Sequence, residues 1–198
     1  ARNAISAAFD GVEVHGANGY LIDQFLRDTP NQRTDAYGGS LENRARLLFE
    51  VLTAVTQAIG SERVGLRLSP LNSFNSMKDS DPLALIGFVA DRLNAFKLAY
   101  LHVMRADFLG VQKADVMPVA REKYKGVLVG NMGYSADEAE AAIAEGKLDA
   151  VAFGTAFLAN PDLPARIRAK APLNAPDSNT FYAGGAKGYT DYPTLQVA

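Results

Sequence analysis

The sequence predicts an α/β fold of about five parallel strands with intervening helices, and three observations lead there. Short runs rich in Val and Leu, bounded by Gly, Pro or Asn, recur at residues 9–15, 64–69, 99–104, 126–130 and 149–154; such runs suit strands of a buried parallel sheet. Helical periodicity fills the gaps. Leu41, Ala45, Leu48, Leu52, Val55 and Ile59 recur every three or four residues, with Ser40 placed to cap the start and Gly60 to stop the helix. Asp81-Pro82 and Asn160-Pro161 each pair a capping side chain with a proline that costs nothing in a first turn. Ser135 and Glu138 have capping-box spacing, so a helix is expected after the fourth strand.

Composition narrows the function. The 198 residues are 48% apolar and 21% charged, enough for one sizeable core. A formal charge of −2 gives no electrostatic reason to expect nucleic acid or an anionic membrane as partner, and a small-molecule substrate is expected instead. With no cysteine, disulfides, thiolate metal sites and cysteine nucleophiles are excluded, and no metal is expected. No apolar run approaches the ~18 residues of a membrane span, and the expectation is a cytoplasmic protein. The chain opens at Ala1 rather than methionine, within what reads as the end of a helix, which predicts a piece of a larger fold. Residues 170–198 form a tail punctuated by Pro and Gly.

Parallel sheets bind ligands at the carboxyl ends of their strands, and the polar residues collect there. Glu13 and His15 share one parity in the first strand, opposite Val12 and Val14; Arg67 and Ser69 do so in the second, opposite Leu66 and Leu68. If the aliphatic side packs on helices, the polar side faces a barrel interior. A buried arginine needs a counter-charge. Arg67 therefore either pairs with Glu13 on the neighbouring strand or meets an anionic ligand at the barrel mouth. His15 is either a structural histidine or a catalytic one, whereas His102, with no polar cluster beside it in the sequence, reads as structural. Gly130-Asn131-Met132-Gly133 follows the fourth strand and Gly154-Thr155 the fifth; glycine-rich loops there expose backbone N–H groups and predict a phosphate site.

The runs HGANGYLIDQFL, NQRTDAYGGSLENRARLLFE, VGLRLSP, NPDLP and FYAGGAKGYTDYP resemble the Old Yellow Enzyme family of flavin-dependent ene-reductases over essentially the whole chain. The resemblance implies a (β/α)₈ TIM barrel carrying FMN, of which this chain matches the C-terminal part as a single incomplete domain, 1–198. It implies reduction of the C=C bond of enones, nitroalkenes or maleimide-like compounds, with NADH or NADPH as reductant. His15 and Asn18 match the pair that binds the activating oxygen, and Tyr20 the proton donor. Arg67 matches the residue beside the flavin's pyrimidine edge, and Gly130, Asn131, Gly154 and Thr155 the flavin and phosphate contacts. Phe74 and Tyr182 match positions near the substrate pocket.

Thr155 stands where the family typically has an arginine on the FMN phosphate, so a hydroxyl replaces a charge. Five strands cannot close an eight-stranded barrel, so the expected partner is a missing N-terminal half-barrel or another copy of the chain. Two other readings stand beside this one: a phosphate-binding barrel aldolase or isomerase, and a non-catalytic half-barrel that needs a partner.

Overall fold

The computed structural model describes residues 1–195. Five parallel strands, β1 (Val12–Gly16), β2 (Val64–Leu68), β3 (Tyr100–Met104), β4 (Leu128–Asn131) and β5 (Ala150–Ala152), lie in the sheet in sequence order. The helices are α1 (Arg2–Ser6), α2 (Leu21–Leu26), α3 (Leu41–Ile59), α4 (Pro82–Leu93), α5 (Met117–Lys123), α6 (Ala136–Ala144), α7 (Thr155–Ala159) and α8 (Leu163–Ala169). Two compact units result, Ala1–Val151 and the part from Ala152 onward. Among the described residues, no helix is long and apolar enough to cross a membrane.

Capping chemistry sets most helix starts. Ser40 accepts from the Asn43 N–H, and Gly60, at φ 89°, stops α3 where a side chain would be strained. Asp81 accepts from the Ala84 N–H at 2.9 Å, with Pro82 opening α4. Ser135 and Glu138 form the reciprocal capping box of α6. The helix expected at Asn160-Pro161 starts later, at Leu163, because Asn160 is occupied elsewhere: its amide donates to the Ala156 carbonyl and accepts from the Asn174 N–H. The first strand is also shorter than expected. Ala8 takes a left-handed φ of 65° and the Phe9 N–H bonds back to the Ala4 carbonyl, which leaves Phe9 outside β1 and exposed.

The register places His15 opposite Arg67 and Arg67 opposite His102, while Val14 pairs with Leu66 and Leu66 with Leu101. Paired residues in a sheet share a face. Leu66, Leu68, Leu101, Val103 and Leu128 on one face join Leu48, Leu52, Leu85, Ile86 and Val89 of α3 and α4 in a single core. Each such side chain, when fully buried, contributes about 1.5–3 kcal/mol. The strands are thus buried on one face rather than two. The other face carries Glu13, His15, Arg67, Tyr100, His102 and Asn131, and all six are exposed or half-buried.

In the second unit, Arg166 holds the tail by donating to Asp162 at 2.7 Å and to the carbonyls of Pro172 and Pro193. The Leu195 N–H returns to Asp162 at 2.7 Å.

Candidate active site

The turn that ends β1 gathers three of the expected site residues. Asn18 (φ 57°) and Gly19 (φ 73°) are consecutive left-handed residues. They reverse the chain, so that the Tyr20 ring returns to 5.3 Å from the His15 ring. Asparagine tolerates this backbone and glycine adopts it freely. A Cβ at Gly19 would also come within 2.6 Å of Asn75. Both rings are left exposed. Burial and the positive charge of Arg67 push the His15 pKa below its ordinary value, with Glu13 opposing them. At neutral pH His15 is therefore a neutral imidazole with one N–H to donate.

Beneath the turn lies a buried polar hub that the sequence reading did not include. The Asn18 N–H donates to Ser69 Oγ at 2.8 Å and the Gly19 N–H to Asp23 Oδ2 at 2.9 Å. Arg27, fully buried, donates to the Ser69 carbonyl at 2.9 Å and lies 3.7 Å from Asp23. Burial pushes the Asp23 carboxyl up to about 6 against the pull of Arg27 and the Gly19 N–H. The (i, i+4) spacing of Asp23 in α2 and Arg27 at its C-terminal cap is the signal that could have revealed the pair.

One strand away, Arg67 donates to Asn131 Oδ1 at 3.0 Å. The Arg67–Glu13 ion pair does not form. Glu13 instead lies 2.9 Å from Nδ1 of His102, so His102, read as lacking polar company, has a carboxylate neighbour. Strand register explains this, since Glu13 stands level with Gly65 rather than Arg67, and Gly65 has no side chain to separate Glu13 from β3. Burial lowers the Arg67 pKa and Glu13 offsets part of that effect; a half-buried guanidinium with donors to spare favours an anionic ligand.

The loop after β4 takes left-handed φ at Met132 (86°) and Gly133 (70°). Arg105 pins it by donating to the carbonyls of Met132 and Gly133 at 2.9 and 2.7 Å. Gly130 belongs to the aliphatic face, where a Cβ would come within 2.5 Å of Leu148. Phe74 lies in the loop after β2, half exposed, with its ring 5.8 Å from Phe108. Asp107 clamps the two loops together, accepting from the Ser73, Val111 and Gln112 N–H groups. In the second unit Gly154 and Thr155 open α7, and Tyr182 is 98% exposed. A cavity of about 730 Å³, between α5 and α6, is lined by Met117, Tyr134 and Leu148 among others, and none of the candidate site residues borders it.

Comparison with known proteins places this geometry in a family. The NADH:flavin oxidoreductase / NADH oxidase family profile matches residues 1–174. A Leishmania infantum protein named "Probable flavin mononucleotide-dependent alkene reductase" is 61% identical over 196 residues, covering 98% of this chain and 53% of that protein. Arabidopsis thaliana 12-oxophytodienoate reductase 2 is 46% identical over 202 residues, covering 99% and 54%. Among solved structures, the old yellow enzyme from Trypanosoma cruzi superposes with a TM-score of 0.96 at 45% identity, covering 98% of this chain and 52% of that one. Morphinone reductase does so with a TM-score of 0.93 at 46% identity, covering 98% and 53%. The chain therefore spans about half the length of the relatives it matches, and its five strands correspond to part of their TIM barrels. The chain belongs to the NADH:flavin oxidoreductase / NADH oxidase family.

Proposed function

We propose that this chain carries the proton-donor and oxygen-binding side of an FMN-dependent, NAD(P)H-driven reductase of activated alkenes. The observation that supports it most is the clustering of His15, Asn18 and Tyr20 on the open polar face, with Arg67 on the next strand. The donor set fits FMN. Arg67 is a half-buried cation with unspent N–H groups beside Asn131, suited to the oxygen- and nitrogen-rich edge of an isoalloxazine ring. The backbone at Gly130 and Asn131 would add polar contacts. Gly154 and Thr155 would offer N–H groups and a hydroxyl to phosphate. Bound FMN would supply the hydride that adds to the alkene β-carbon, having been reduced by NADH or NADPH.

The remaining work falls to this chain's side chains. The neutral imidazole of His15 and the carboxamide of Asn18 donate to the carbonyl or nitro oxygen, where negative charge builds up. Tyr20 delivers a proton to the α-carbon. Phe74 borders the substrate, and the family resemblance gives Tyr182 a part in substrate binding. Enones, nitroalkenes and maleimide-like compounds fit these donors. Among relatives, TcOYE has been solved with pHBA and morphinone reductase with tetrahydroNAD.

Replacing His15 or Asn18 with Ala in the flavin-loaded complete barrel should weaken phenol binding and slow alkene reduction by about 10²–10³-fold, the cost of one well-placed donor. FMN should stay bound. Release of FMN from His15→Ala, seen as free flavin fluorescence, would show His15 to be a structural residue.

The open sheet needs a partner, either a complementary N-terminal half-barrel or a second copy of this chain, because uncovered edge strands invite pairing. Fluorimetric FMN titration checks this: binding should be weak for the chain alone and tighten when the complementary half is added. In the same titration Thr155→Arg should tighten binding further by supplying a charge-assisted contact. Tight binding by the monomeric chain alone would refute the need for a partner, and unchanged binding by Thr155→Arg would remove Thr155 from the phosphate site.

A further inference from the structure

We infer that Asn72 is a positioning residue that fixes which end of the Asn18 carboxamide faces the substrate. The inference rests on the function proposed above and concerns a residue to which that reading gives no part. Asn72 is fully buried in the loop after β2. Its backbone is held by its own N–H to the Ser69 carbonyl at 3.1 Å, and its carbonyl accepts from Arg27 at 3.4 Å. Its side-chain Oδ1 accepts from the Phe74 N–H at 3.4 Å, which leaves Nδ2 to act as donor. That Nδ2 donates to Asn18 Oδ1 at 2.8 Å.

The consequence follows from the two ends of a primary amide. With its carbonyl end taken by Asn72, Asn18 has only its amino group to offer, and no described residue accepts from it. An amide free to turn over would present carbonyl and amino group in turn, and only the amino group can bind an activating oxygen. Backbone anchoring completes the restraint: the Asn18 N–H is fixed on Ser69 Oγ and its carbonyl accepts from Asn75 Nδ2 at 3.2 Å. The relay from Phe74 N–H through Asn72 to Asn18 thus converts a symmetric-looking side chain into a dedicated donor. This is preorganisation of the kind that electrostatic stabilisation requires.

Asn72→Asp reverses the relay. A carboxylate has no hydrogen to give, so it claims the Asn18 amino group and turns the carbonyl toward the ligand. In the flavin-loaded complete barrel, calorimetric titration with 4-hydroxybenzaldehyde as probe should show about 10–100-fold weaker binding for Asn72→Asp, the range for losing a hydrogen bond to a charged acceptor. Asn72→Ala, which frees the carboxamide without inverting it, should lose less. Repeating both substitutions in an Asn18→Ala background separates positioning from structure. If Asn72 acts through Asn18, neither substitution weakens the probe further there; equal losses in both backgrounds overturn the assignment. Should Asn72→Asp fail to fold, Asn72→Ala read in the two backgrounds supplies the same comparison. Failure of the unsubstituted barrel to bind FMN and the phenol would overturn the functional reading and this assignment with it. Equal binding by the unsubstituted barrel and Asn72→Asp would overturn the assignment alone.

Discussion

Tyr20→Phe in the flavin-loaded complete barrel is expected to slow alkene reduction by about 10²–10⁴-fold, the usual contribution of a general acid, while flavin reduction by NAD(P)H stays nearly unchanged. The substitution is a clean one here. Tyr20 contributes no buried hydroxyl to the core, being exposed at the N-cap of α2, and its main ring neighbour is His15 at 5.3 Å. Phenylalanine keeps that ring contact and the helix start, and removes only the hydroxyl that carries the proton. Stopped-flow absorbance of the flavin resolves the two half-reactions. If both slowed together, or neither slowed, Tyr20 would not be the proton donor.

Arg27→Met is expected to destabilise the fold by about 3–5 kcal/mol, the cost of breaking a buried ion pair from one side. Arg27 is fully buried and ties α2 to the loop after β2 through the Ser69 and Asn72 carbonyls. Its loss strands Asp23, whose carboxyl already sits at about 6 with Arg27 in place, against 3.8 without the fold. A carboxyl with a raised folded pKa contributes stability that is complete below the unfolded pKa and is lost as pH rises through the folded one. Removing Arg27 raises the folded pKa further, so the penalty should be smaller at pH 5 than at pH 7. Urea denaturation at the two pH values checks this. Equal penalties would show that Asp23 does not carry the effect.

Much of the architecture was legible because it follows from short-range chemistry. Ser40, Asp81 and Ser135 cap the helices their sequence positions suggest, and the alternation of Val and Leu against Glu13, His15 and Arg67 foretold two unlike faces. Asn160 misled because its amide has two partners, Ala156 four residues behind it and Asn174 fourteen ahead, and a local pattern cannot weigh a distant claim. Of the candidate site, the cluster of His15, Asn18 and Tyr20 lies within six residues and was visible. Pairing across strands was not: whether Glu13 reaches Arg67 or His102 depends on register and on the missing side chain at Gly65, over which the Tyr100 ring lies. The links from Asp23 and Arg27 to Ser69, and from Asn18 to Asn72, were hidden for the same reason, since those bonds join residues more than forty positions apart, whereas the Asp23–Arg27 pair is local.

The sheet register also acts as a ruler. His15, Arg67 and His102 occupy one level of β1, β2 and β3, and neighbouring strands stand about 4.8 Å apart whatever their side chains. The spacing from the His15 imidazole to the Arg67 guanidinium is thus set by backbone hydrogen bonds. Slipping one strand by a single residue would turn Val14 or Leu66 toward the open polar face and bury a charge among leucines. On the strands, variation is therefore confined to exchanging side chains at fixed addresses, while the loops above the row, where Phe74 and Phe108 meet, are free of that register.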